Sequence, residues 1–274
     1  MSNKEHWNKL DDYKEIHGDK KSYDPNHTES VRKIWNERGK TGKEKLPDKL
    51  QHQLEVNSLI TQISKSDIVL DAGCGSGFSS RQISRICSEI VGIDFAKELI
   101  KKANSLDKPS NVDFQFGDIT NLKFVDNNFD KVITQRVLIN LVNEENQLIA
   151  VEEIHRVLKE KGLFLMLETN SQAIQNLNDA RANFNLDPII PPWHNKVIDE
   201  STFFPKIKHL FDLVDEVNLG NYFLITRLIH PLLVFPEKPS YDNEINQIAF
   251  NIAEKEVSFA KDFSQAKLYV LQKL

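Results

Sequence analysis

The chain is poor in cysteine and methionine, with two of each in 274 residues. Cys74 and Cys87 form neither a disulfide framework nor a C-x-x-C metal or redox pair, so a reducing compartment is the simpler inference. Long apolar runs are missing too. Leu163 to Leu167 is short, and Leu228 to Phe235 is broken by His230 and Pro231, so no segment is expected to span a bilayer. The opening segment from Met1 to Lys21 is charged throughout and lacks the apolar stretch of a secretory signal. These absences lead to the expectation of a cytoplasmic protein without membrane partners. An excess of positive charge is also absent: the formal net charge is -5, a poor fit to a sequence-independent nucleic-acid binder, which needs a basic surface to displace phosphate counterions. There is no internal repeat and no low-complexity tract. The 40% hydrophobic content allows one elaborated domain or a domain with a cap.

Glycine is scarce as well, at ten residues, which makes its clustering informative. The apolar run Ile68-Val69-Leu70 enters Asp71-Ala72-Gly73-Cys74-Gly75-Ser76-Gly77, where glycines alternate behind an acid. This reads as a strand entering a nucleotide-binding turn, with main chain that a ligand can approach directly. Helical spacing resumes with Phe78, Ile83 and Ile86, so N–H groups at a helix start face the turn. The pattern D-x-G-x-G-x-G differs from the dinucleotide fingerprint G-x-G-x-x-G, and no lysine and Ser/Thr follow as in a phosphate loop. Further on, Glu89-Ile90-Val91-Gly92-Ile93-Asp94 is a strand ending in a carboxylate able to accept from both hydroxyls of a ribose. A third strand, Val112 to Phe116, runs into Gly117-Asp118, and a fourth is Phe129-Asp130-Lys131-Val132-Ile133-Thr134.

The order DAGCGSG, VGID, GD and FDKVIT resembles the class I S-adenosylmethionine-dependent methyltransferases, from about Leu54 to the C-terminus. The resemblance implies an α/β fold: a Rossmann-like, seven-stranded, mostly parallel sheet with helices on both faces and an antiparallel seventh strand. It implies S-adenosylmethionine as methyl donor and S-adenosylhomocysteine as product; no metal is expected. Asp71 would then lie near the methionine amino group, and Ala72, Gly73, Cys74, Gly75 and Gly77 beneath methionine and ribose. Asp94 would hold the ribose diol and Asp118 the adenine amine, with Phe95, Gly117, Ile119 and Gln135 completing the cofactor set. At lower specificity, QRVLINL, RVLKEKGLFLMLETN and PPWHN resemble bacterial enzymes that modify small molecules and surface glycans.

Residues 1–50 form a charged zone expected to hold helices around Lys4 to Ile16 and Glu29 to Arg38, whose Trp7, Tyr13, Ile34 and Trp35 need something to bury against. They either pin the segment to the core or make it a lid over the cofactor. Residues 51–274 read as the methyltransferase domain, with substrate-side insertions at about 171–205 and 220–240. The expected elements are helices over Leu50 to Ile63, Ala96 to Ser105, Glu144 to Leu158 and Asn243 to Phe259, and strands over Leu163 to Leu167, Leu213 to Leu219 and Ala266 to Leu271.

Methyl transfer needs an acceptor lone pair in line with the S–CH3 bond, in a site beyond the carboxyl ends of the strands. Arg136 and Asn140 after the fourth strand, Glu168 after the fifth, Trp193 and His194 in Asp187-Pro188-Ile189-Ile190-Pro191-Pro192-Trp193-His194-Asn195, and Tyr222 and Arg227 later are candidate acceptor contacts. Three prolines present the Trp193 ring and the His194 imidazole together, and histidine suits proton removal near neutral pH, so His194 is the candidate general base. A rigid surface connection with Trp193 docked in the core is the competing account. His155, His27, His52 and His209 stand without a second metal-ligand histidine. Arg136 and Arg227 point to an acidic acceptor. The absence of an N-P-P-[FY] motif after the fourth strand disfavours DNA or glutamine N-methylation. The function expected is methylation of a small polar or anionic molecule, with oxygen slightly preferred over nitrogen, by a monomer or homodimer. A non-catalytic S-adenosylmethionine-binding protein and an NAD-dependent oxidoreductase are the alternatives.

Overall fold

The computed structural model describes residues 28–43, 47–255 and 258–274. One seven-stranded sheet organises them: β1 (Ile68–Ala72), β2 (Glu89–Asp94), β3 (Val112–Phe116), β4 (Phe129–Gln135), β5 (Leu158–Thr169), β6 (Phe211–Asn218) and β7 (Ala266–Lys273). Their spatial order is β3-β2-β1-β4-β5-β7-β6, with β7 antiparallel to both β5 and β6 and the other pairs parallel. The central strands are apolar on both faces because both faces are covered. Val69 and Leu70, neighbours on β1, belong to opposite cores: Val69 packs with Ile90, Ile133 and Leu165, Leu70 with Val91, Val132 and Phe164.

The helices are α1 (Thr28–Thr41), α2 (Lys49–Ile60), α3 (Phe78–Ile83), α4 (Lys97–Ser105), α5 (Glu144–Val157), α6 (Ser171–Ala182), α7 (Glu200–Ile207), α8 (Gly220–Leu224), α9 (His230–Val234) and α10 (Glu244–Ala253). Asp48 caps α2 through the Gln51 N–H at 3.0 Å, and Asn143 caps α5 through the Asn146 N–H at 2.8 Å. The expected helix around Glu29 is α1, with Val31 and Ile34 buried; the Lys4 to Ile16 stretch, with Trp7 and Tyr13, lies outside the described residues.

Two expectations are corrected. The fifth strand does not begin after Gly162: it starts at Leu158 and passes a bulge where Lys161 takes a φ of 61°, with a register shift opposite Phe129 and Lys131. The helix expected to reach Phe259 ends at Ala253. The segment after β6, expected as a substrate-side insertion at about 220–240, is a helical rod, α8 and α9 joined by a π turn over Ile225–Ile229. Pro231 has no N–H to give the Arg227 carbonyl, and its ring crowds that oxygen. The Arg181 guanidinium donates to the Arg227 carbonyl instead. Among the described residues, no helix is long and apolar enough to cross a membrane.

Candidate functional site

A cavity of about 820 Å³ opens at the carboxyl ends of β1, β2 and β4, between the glycine turn and α2. The turn is tied to β2, since the Gly73 and Cys74 N–H groups both donate to the Ile93 carbonyl, at 2.7 and 2.9 Å. The glycines at 75 and 77 do different things. A Cβ on Gly77 would lie 2.4 Å from the Phe114 ring, so that glycine allows packing, whereas a Cβ on Gly75 would meet nothing within 4 Å. Gly75 therefore presents bare main chain, at a φ of 55°, to open space.

Asp94 lies 7% exposed at the end of β2, accepting from the Gly75 N–H at 3.0 Å and the Ala96 N–H at 2.8 Å. Burial pushes its carboxyl up to about 6 against the pull of those two donors. Asp71 is as deeply buried, accepts from the Ser80 hydroxyl at 2.5 Å, and is pushed up to about 6 by burial, with Asp94 adding to the effect.

Beside the main cavity is a recess of about 40 Å³, lined by Phe95, Gly117, Asp118, Ile119 and Leu141. The Asp118 carboxylate accepts from the N–H and hydroxyl of Thr120, at 3.0 and 2.7 Å. Helix α1 lies along this side. Arg32 reaches Asp118 at 3.5 Å and stands 5.6 Å from the Phe95 ring centre, and the Asn36 side chain accepts from the Glu98 N–H at 3.1 Å. Trp35 Nε1 donates to Asn140 Oδ1 at 3.2 Å, so an α1 aromatic lines the cavity.

The opposite end joins α2, α3 and the end of β4. Gln135 Oε1 accepts from the Ser79 hydroxyl at 2.6 Å, while its Nε2 donates to Glu55 at 2.7 Å. Glu55, fully buried on α2, also accepts from Gln51 at 2.8 Å and faces Arg136 at 3.4 Å. Arg136 takes a φ of 58°, a conformation that costs a non-glycine residue on the order of 1 kcal/mol. It is held there by its N–H on the Leu167 carbonyl at 2.8 Å and by the Asn140 side chain on its own carbonyl at 2.7 Å. His52, one turn before Glu55, stacks on Phe78 at 4.4 Å between ring centres. Burial, reinforced by the Arg136 charge, pushes its imidazole down to about 3, so it is neutral at physiological pH.

A glycine turn under open space, a buried carboxylate at the end of the next strand and a second acid beside an apolar recess are the features on which the sequence resemblance rested. Residues 63–210, just over half of the chain, match the family model described as Methyltransferase domain. The chain belongs to the class I S-adenosylmethionine-dependent methyltransferases. It is 36% identical over 103 residues to the uncharacterized methyltransferase YcgJ of Bacillus subtilis, covering 36% of this chain and 40% of that protein. It is 32% identical over 117 residues to the demethylmenaquinone methyltransferase of Staphylococcus carnosus, covering 41% and 47%. The methyltransferase thus spans less than half the length of these two curated relatives. A methyltransferase of Haloferax volcanii, solved in complex with a methyltransferase activator, superposes with a TM-score of 0.61 over 87% of this chain and 96% of its own, at 16% identity, a likeness of fold alone.

Of the residues singled out in the methyltransferase sequence, Gly73, Cys74, Gly75, Asp94, Phe95, Gln135, Arg136 and Asn140 line the main cavity, and Gly117, Asp118 and Ile119 the recess. Asp71 and Ala72 are buried beneath the turn. The remaining acceptor candidates line neither cavity. Glu168 is fully buried and accepts from the Val137, Leu138 and Ile139 N–H groups at 3.0, 2.9 and 3.4 Å, capping the turn after β4. Burial still pushes it up to about 7. His194 is 3% exposed, with the Trp193 ring edge-on at 5.6 Å. Tyr222 and Arg227 converge on Asp48, at 2.6 and 2.8 Å, and so brace the start of α2. Sequence reasoning missed His52, Trp35 and Phe78 as cavity residues, and the fully buried Glu55 that braces Gln135 and Arg136 behind them. The three-residue spacing of His52 and Glu55 places them on one helix face, but nothing local tied that face to the end of β4. Among the described residues, no group of three or more His, Cys, Asp or Glu side chains is placed to hold a metal.

Proposed function

We infer that this methyltransferase carries the methyl group of S-adenosylmethionine to a small polar acceptor lying between the glycine turn and α2. When bound, S-adenosylmethionine supplies a methyl group already activated on a sulfonium. The residues present fit that ligand: Gly75 leaves room for it, Asp94 offers a desolvated carboxylate to a ribose diol, and Asp118 stands at a recess sized for one ring edge. Arg32 shares Asp118 from above, so α1 acts as a lid on the recess.

The observation that carries the acceptor side is the continuity of the cavity from Asp94 to Gln135, Arg136 and His52. Gln135 is fixed between Ser79 and Glu55, so it orients rather than exchanges protons. His52 is the neutral imidazole on the cavity wall, and it takes over from His194 the role of partner to the acceptor's O–H or N–H. Oxygen is preferred to nitrogen as the methylated atom, because a weakly basic neutral imidazole suits a hydroxyl hydrogen bond. Calorimetric titration with S-adenosylhomocysteine and NAD tests the cofactor side: micromolar binding of the first and none of the second is expected. Turnover on a panel of hydroxyl and amine acceptors, read as a gain of one methyl mass, tests the rest. Binding of NAD alone would sink the reading.

A further inference from the structure

The acceptor end of the cavity carries positive charge in a chain whose formal net charge is -5. Lys49, Arg85 and Arg136 line the cavity, and Asp94, the one carboxylate lining it among the described residues, is engaged by two backbone N–H groups. Arg81, also on the wall, is used up on the carbonyls of Asp107, Ser76 and Ala103. Arg136 is different. Its contact with Glu55 is its one ion pair among the described residues, long at 3.4 Å, and its buried Nε has no hydrogen-bond partner there. Glu55 meanwhile already serves Gln135 and Gln51. The left-handed backbone at Arg136 is held from both sides, by Leu167 and by the Asn140 side chain that Trp35 in turn fixes. A guanidinium so pre-oriented, on a side chain that keeps 21% of its surface exposed, is suited to a planar anion.

The neighbouring wall is of another kind. Phe78 and Leu106 line the cavity yet remain 45% and 49% exposed, and Phe78 is backed by the uncharged His52 ring. An apolar ligand body would cover what the protein leaves bare.

We propose that the acceptor is a small organic acid whose anionic oxygens are taken by Arg136 and whose apolar body lies against the Phe78–His52 pair. The proposal rests on the cavity being the methyl-transfer site. The chemistry balances without a further reagent: a hydroxyl of the acid attacks the methyl carbon, a C–O bond forms, the C–S bond breaks with its electron pair on sulfur, and the hydroxyl proton passes to solvent, with His52 as hydrogen-bond partner to the hydroxyl.

The test uses the full chain saturated with S-adenosylhomocysteine, titrated with salicylate, salicylamide and inorganic phosphate. Salicylate is expected to bind at least tenfold more tightly than salicylamide, and tenfold more weakly to Arg136→Gln. Phe78→Ala should weaken salicylate by three- to tenfold without changing phosphate. Equal binding of salicylate and salicylamide by the unaltered chain would overturn the proposal even if Arg136→Gln failed to fold. So would an Arg136→Gln protein that loses S-adenosylhomocysteine but keeps 5′-methylthioadenosine, since Arg136 would then serve the cofactor's carboxylate. A chain that does not bind S-adenosylhomocysteine at all refutes the site itself, a distinguishable failure.

Discussion

Trp35 Nε1 donates to Asn140 Oδ1 at 3.2 Å, and this one bond joins α1 to the turn that holds Arg136. A neutral hydrogen bond of this kind contributes about 1 kcal/mol, or a factor of about five in a rate constant. Trp35→Phe keeps the ring and removes the donor. It should raise the dissociation rate of S-adenosylhomocysteine about fivefold in stopped-flow displacement, with the thermal midpoint nearly unchanged. An unaltered off-rate would show that α1 packs on the domain without gating it.

The glycine turn separates packing from ligand space. Gly75→Val places a branched side chain into the cavity and should abolish S-adenosylhomocysteine binding, with a stability cost of only about 1–2 kcal/mol for the positive φ. Gly77→Ala sets a methyl against Phe114 and should instead cost about 3 kcal/mol of stability, read as a lower urea midpoint. The reverse pattern would mean that the ligand lies elsewhere along the turn.

Cofactor affinity should fall on acidification. Hydroxyl donors need the ionised form of Asp94, whose carboxyl in the unliganded chain sits at about 6, so binding should weaken about tenfold between pH 7 and pH 5. Unfolding does not confuse this: a buried acid raised above its unfolded value favours the fold below that value and loses this contribution as pH rises through 6. Asp94→Asn should bind more weakly and flatten the profile across that window. A profile equally steep in Asp94→Asn would assign the titration to another group, Asp71 first.

Glu168 separates a structural from a chemical role. Glu168→Ala strands three buried N–H donors and should cost about 3 kcal/mol or more, whereas Glu168→Gln keeps the oxygen that serves Val137 and Leu138 and should cost about 1 kcal/mol. Turnover by Glu168→Gln should stay within a few-fold of the original. A hundredfold loss in a stable Glu168→Gln protein would return this carboxylate to the chemistry.

What the sequence specifies by itself follows from the range of each signal. Ile68 to Gly77 and Glu89 to Asp94 are short-range patterns: strand, turn and acid are consecutive, and the physics that shapes them is local. The parallel order of the first five strands follows from strands alternating with helices. The α2 and β4 wall of the cavity has no such encoding. His52 and Glu55 meet Gln135 and Arg136 across some eighty positions only because α2 and β4 pack at one end of the sheet. Conversely, the proline-rich Trp193–His194 loop was conspicuous in the sequence, yet tertiary packing buries His194 away from the cavity. The chain therefore declared its cofactor turn locally, through glycines and carboxylates that must be neighbours to work. Which side chains line the rest of the cavity was decided by long-range burial, which one-dimensional spacing does not contain.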